Sequence, residues 1–133
     1  MIHLDSCLVI CFVEPESASH RAVTEALVAA TRATMAISGL VVMECLVGPL
    51  QHRDEGLRED YERAFGAMTL LPLTRMIFER AAGLRAAHRL KTSDAIHLAS
   101  ALESGCDELW TDDDRLSRAA GSFVRVVGRV DPA

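Results

Sequence analysis

The stretch Leu90-Lys-Thr-Ser-Asp-Ala-Ile-His-Leu-Ala-Ser-Ala-Leu102, followed shortly by Glu108-Leu-Trp-Thr-Asp-Asp-Asp-Arg-Leu116, decides the fold. Its first part reads as an apolar helix over residues 93–105. Gly105 closes it, because glycine turns left-handed past a helix end without a Cβ penalty. Residues 108–110 then form a strand and residues 113–120 a short helix ending at Gly121. The same alternation extends outward. Strands are expected at 2–4, 35–37, 70–73 and 124–127, and helices over 6–12, 17–33, 54–67 and 75–89 and from Ser38 onward. Pro15 ends the first helix, Ser17 is the expected N-cap of the second, and Gly48-Pro49 should break or bend the helix that Ser38 caps. Strands alternating with helices imply an α/β domain, three layers α/β/α around a mainly parallel five-stranded sheet. Residues 1–133 make one domain, with no linker, internal repeat or low-complexity segment.

A chain of 133 residues can bury a core without staples, and 50% hydrophobic with 25% charged residues is globular rather than disordered composition. Aromatics are only 5%, which argues against base stacking as the main mode of any nucleic-acid binding. The net charge of −5, from 14 Lys+Arg against 19 Asp+Glu, disfavours a simple basic clamp. Bound cations would offset acids gathered at a site. Cys7, Cys11, Cys45 and Cys106 contain no C-x-x-C and read as reduced, buried small hydrophobes. No basic leader opens the chain, and no apolar run approaches the ~20 residues that span a bilayer. A cytoplasmic protein without membrane contact is the expectation.

Four carboxylates stand at strand ends or helix starts: Asp5, Glu44, Asp94 and one of the acids after Thr111. Each has a bland explanation. Asp5 and an acid after Thr111 are good N-caps, Asp94 suits the positive end of its helix, and Glu44 has Gly48 and Gln51 on its own side. Together they say more. Three of the four sit in apolar surroundings, where an unpaired charge is costly. Two lie directly beyond strand ends, where open α/β sheets bind ligands, and Asp94 opens a helix whose loop can reach the same edge. Ser6 and Thr111 are placed to hydrogen-bond neighbouring carboxylates and orient them. His97, one turn after Asp94, reads as a packed histidine. Carboxylates without His or Cys partners select Mg²⁺ or Mn²⁺ over Zn²⁺, and such a cluster suits phosphodiester hydrolysis. An aspartyl-phosphate phosphatase is the rival enzyme, but it wants an acid two residues after Asp5, where Cys7 stands. A non-catalytic module that sequesters RNA or a protein is the other alternative.

Ile2 to Ser6, Ser38 to Glu44, Leu90 to Leu102 and Leu109 to Leu116 together resemble PIN-domain ribonucleases, and more closely the toxin half of VapBC-type toxin–antitoxin pairs. The resemblance spans essentially the whole chain. It implies a metal-dependent endoribonuclease acting on single-stranded or looped RNA, with Mg²⁺ or Mn²⁺ as cofactor. Asp5, Glu44 and Asp94 become site acids, and a Thr-x-Asp pattern selects Asp113 as the fourth. Asp112, standing where an Asn is common, is the close alternate metal ligand, and Ser93 stands where a Pro is common. A small antitoxin laid in a groove beside the site and a homodimer are the implied partners. Arg75, Arg80, Arg85, His88, Arg89 and Lys91 form the most basic stretch, interrupted by Glu79. It leads to Asp94, which makes Arg85 and Arg89 candidates for contact with RNA phosphates, with Ser6 and Thr111 as further candidates for substrate contact.

Overall fold

Ile2-His-Leu4 is a three-residue strand buried along its whole length, which places it inside a sheet rather than at an edge. This strand, β1, pairs in parallel with β2 (Met35–Ser38) on one side and with β4 (Glu108–Trp110) on the other. β3 (Thr69–Leu71) adds outside β2, and β5 (Arg125–Val127) outside β4. The sheet order is β3-β2-β1-β4-β5 and every pairing is parallel. The computed structural model describes residues 1–30, 32–121, 123 and 125–127, the last three by their backbone.

Seven helices connect or flank these strands among the described residues: α1 (Ser6–Val13), α2 (His20–Ala29), α3 (Gly39–Gln51), α4 (Glu55–Gly66), α5 (Arg75–His88), α6 (Thr92–Glu103) and α7 (Asp114–Ala120). Strand alternation sorts the core into two halves. Ile2, Leu4, Ile37 and Trp110 pack with Leu8, Val9, Val41 and Tyr61 on one face. Ala36, Leu71 and Leu109 pack with Ile77, Leu84, Leu98 and Leu116 on the other. The chain runs outward from β1 to β3, then crosses back to β4 beside β1. That reversal leaves the carboxyl ends of β1 and β4 adjacent, the position where α/β sheets form ligand crevices.

Several local expectations change. The second helix starts at His20, and the Ser17 hydroxyl donates to Cys11 Sγ at 3.2 Å instead of capping it. Ser38 occupies the N-cap position of α3 but makes no side-chain cap bond. Pro49 does not end that helix, which continues to Gln51. β3 starts one residue early, at Thr69, and stops at Leu71 because Pro72 has no N–H to offer the ladder. Gly105, with φ +69°, takes the left-handed conformation expected after α6. Of the expected strand 124–127, residue 124 lies outside the described residues.

Candidate functional site

Asp5 leaves the end of β1 and becomes the N-cap of α1, with Oδ1 accepting from the Ser6 amide at 2.7 Å. Its other oxygen, Oδ2, accepts from the Thr111 hydroxyl at 2.7 Å. Thr111 follows β4, so the bond joins the two strand ends at the switch point. The Thr111 hydroxyl also accepts from the Asp113 amide at 3.1 Å, and Asp113 Oδ1 caps α7 through the Leu116 amide at 2.8 Å. Asp113 therefore has a carboxylate oxygen beyond the one its cap uses. Asp112, next to it, is exposed.

Asp94 sits in the first turn of α6, buried, and its Oδ2 has no partner within the protein. Burial and then the charges of Asp113 and Asp5 push its pKa above the ordinary carboxylate value. Glu44 reaches the same place from α3. Asp5, Ser6, Cys7, Glu44, Asp94, Asp112 and Asp113 line one open cleft of about 270 Å³. The Cys7 thiol is no nucleophile here, because burial and the Asp5 charge push its pKa up.

His97 is the residue that sequence reasoning missed. Its Nε2 lies 2.8 Å from Glu44 Oε1 and 3.3 Å from Asp5 Oδ1, and the ring is 1% exposed. The expectation of carboxylates without a histidine partner is therefore corrected. Nitrogen facing two carboxylates must supply the proton, so Nε2 is an N–H donor that holds Asp5 and Glu44 together. Burial alone would lower the pKa of His97. The hydrogen bond to Glu44 and the charges of Asp5, Glu44 and Asp94 outweigh it, and the net shift is upward. Glu44 shows the complement: burial opposes ionisation, but the His97 bond and charge and a Ser6 hydrogen bond hold its pKa down. Helical spacing put His97 on the same side of α6 as Asp94, a signal too weak to separate it from core packing.

The remaining candidates lie elsewhere. Thr111 is fully buried with its hydroxyl committed to Asp5, so it orients a carboxylate and does not reach a substrate. Ser6 lines the cleft, with its Oγ 3.4 Å from Asp5 Oδ1. Arg85 and Arg89 line a separate depression with Ala82, Ala86 and Leu90. Arg85 Nε donates to the Leu90 carbonyl at 3.0 Å. Arg75 and Arg80 pair with Glu79 and Glu103, surface bridges of small energetic value.

The arrangement fits a divalent cation. Carboxylates from four parts of the chain line one cleft, and that of Asp94 is buried with an unpartnered oxygen. Among the described residues, Asp5, Glu44 and His97 also present potential ligand atoms within 4.8 Å of one another. With Nε2 protonated, the histidine serves the carboxylates, and the donor set becomes all-oxygen, which suits hard cations.

Comparison with known proteins agrees with this geometry. A profile of the PIN domain matches residues 2–122. A toxin–antitoxin complex from Klebsiella pneumoniae contains a chain 26% identical, with TM-score 0.75 and 96% of each chain covered. VapC20 of Mycobacterium tuberculosis, a toxin that cleaves the sarcin–ricin loop, is 18% identical with TM-score 0.76, covering 95% of this chain and 98% of that one. VapBC2 of Rickettsia felis, bound to a DNA fragment from its promoter, is 15% identical with TM-score 0.77, covering 96% and 98%. No curated protein sequence matches.

Proposed function

Because the chain belongs to the PIN-domain family, we propose that it is a metal-dependent endoribonuclease, the toxin of a toxin–antitoxin pair, hydrolysing phosphodiester bonds in RNA. The observation that carries this reading is the convergence of Asp5, Glu44, Asp94 and Asp113 on one open cleft at the β1/β4 switch point. Asp5, Asp94 and Asp113 would hold Mg²⁺ or Mn²⁺, with Asp112 the alternate and Glu44 completing the acid set. An ion held there would supply activation of a water and charge to offset that developing on phosphate oxygens. The protein's own part is to aim the carboxylates. Thr111 and the Ser6 amide fix Asp5, and His97 ties Asp5 to Glu44. An open, polar cleft admits an extended or looped strand rather than a small enclosed ligand. Arg85, on the helix α5 that packs against α6, and Arg89, just past its end, are assigned to flanking phosphates.

The same reading supplies two protein partners. Toxin–antitoxin complexes among the structural relatives support a small antitoxin. The groove we assign to it is apolar, about 250 Å³, and lined by Phe12, Leu27, Met35, Ala64 and Met68 among others. A second copy is assigned to α3, where Met43, Val47 and Leu50 form an exposed apolar stripe at 57%, 47% and 53% accessibility. No helix among the described residues is long and apolar enough to cross a membrane, and we place the protein in the cytoplasm.

Calorimetric titration of Mn²⁺ into wild type and Asp94→Asn, with an RNA cleavage assay of wild type and Asp5→Asn, tests the function. Metal heat that collapses in the first variant and cleavage nearly abolished in the second are expected. Wild-type cleavage by Asp5→Asn would refute the assignment. Absence of Mn²⁺ binding by wild type would leave a non-catalytic RNA- or protein-binding module.

A further inference from the structure

Beneath the acid cleft lies a second polar group that the hydrolytic reading leaves unused. Seven buried side-chain polar atoms among the described residues have no protein partner, and five belong to His3, Ser38, His97 and Ser100. These four side chains are at most 1% exposed. They share one side of the sheet. His3 is in register with Ala36 and Leu109, both of which face the core half under α6. Ser38 lies two residues beyond Ala36 on the same strand face. His97 and Ser100 are three residues apart on α6, hence neighbours on one helix face. The imidazoles of His3 and His97 meet edge-on, with centroids 6.0 Å apart and planes at 63°.

Each unpaired buried donor or acceptor costs about 1–3 kcal/mol, so five of them on one side of the sheet call for a shared partner. An internal water makes about three hydrogen bonds and needs two to four polar neighbours, a number these side chains supply. A neutral imidazole offers one donor and one acceptor. Since His97 Nε2 carries its proton toward Glu44, Nδ1 is the ring atom left to bond such a water. The water's remaining hydrogen bonds go to an imidazole nitrogen of His3 and the Ser100 hydroxyl.

We propose that His3 is a positioning residue of the acid site, acting through His97: a buried water shared by His3, Ser100 and His97 Nδ1 fixes the His97 ring, keeping its Nε2–H aimed at Glu44 and Asp5. The effect on metal binding rests on the metal-dependent reading above; the link between the two rings does not. His3 touches no substrate in this scheme. Removing its polarity leaves the cleft lined as before but frees the ring that aligns two of the acids.

His3→Leu fills the buried strand position with an apolar side chain of similar size, and His3→Gln keeps a donor and an acceptor there. Nitrogen-15 NMR of the metal-free proteins reports the hydrogen bonding of each His97 ring nitrogen, and calorimetry reports Mn²⁺ affinity. In His3→Leu, the Nδ1 and Nε2 signals of His97 are expected to depart from their wild-type positions. Mn²⁺ affinity should fall about tenfold, the lower end for loss of a group that orients metal ligands. His3→Gln should restore both. Unchanged His97 signals in His3→Leu would overturn the proposal and reduce His3 to packing. If wild type itself binds no Mn²⁺, the nuclease reading fails, while the NMR comparison still decides the link between the rings.

Discussion

Acid should unfold this protein partly through His3, by an amount that follows from its burial. The fully buried imidazole has its pKa lowered by burial, and then by the charge of His97, from 6.5 to about 3. Between those values the unfolded chain binds a proton that the folded chain refuses. The stability contributed by neutral His3 is therefore intact above 6.5 and is lost progressively as the pH falls toward 3. At about pH 4.5 the loss depends almost wholly on the unfolded value, about two units higher; at about 1.36 kcal/mol per unit it comes to about 3 kcal/mol. For a chain of this length, at about 4 °C per kcal/mol, that is a melting-temperature drop of about 10 °C. Thermal melts of metal-free wild type and His3→Leu at about pH 7 and about pH 4.5 isolate the contribution. The comparison cancels what titrating groups distant from His3 contribute to both proteins. Wild type should lose about 10 °C more than the variant between the two conditions. Equal losses would refute the argument, since they would mean that folded His3 accepts its proton without penalty.

The acid cluster predicts the opposite trade for Asp94. Burial and the charges of Asp113 and Asp5 push its pKa up, so metal-free Asp94→Asn should melt higher than wild type, by about 1 kcal/mol. The same variant should lose all stabilisation by Mn²⁺; a lower metal-free melting temperature would contradict the crowding of Asp94 by Asp113 and Asp5. On α3, Leu50→Glu places a charge in the exposed apolar stripe and should weaken self-association at least tenfold, about 1.4 kcal/mol, in sedimentation equilibrium. Unaltered association would move the interface away from α3.

Much of the site was legible because its acids contradict their local setting. Asp94 begins an apolar helix and Asp5 follows a buried strand, so periodicity shows where a charge is out of place. The alternation of strands and helices likewise points to a parallel sheet, and the reversal beside β1 brings the strand ends into one place. The partner of Glu44 was hidden for a different reason. His97 lies 53 residues away on another helix, and their 2.8 Å contact is set by the tertiary placement of α3 and α6. No pattern within either helix encodes that distance. Pro49 shows the same limit: its local rule predicts a break or a bend, and the break does not occur, because the residue is buried and α3 continues through it, tertiary packing outweighing the missing hydrogen bond. Similarly, the serine at 17 looks like a cap until Cys11 claims its hydroxyl.

The hydrogen bond from Thr111 to Asp5 bridges 106 positions of sequence. Ile2, His3 and Leu4 find their β4 partners only at Glu108, Leu109 and Trp110. During translation, a nascent chain that stops short of residue 108 has no β4 beside β1, no Thr111 to turn the first carboxylate and no Asp113 opposite it. Long-range pairings of this kind also form late in folding, because loop closure precedes their reward. The acid cleft therefore cannot assemble until the chain has been made past residue 113. For a protein we read as a ribonuclease, made by a machine built of RNA, that order withholds the complete acid set from any shorter nascent chain.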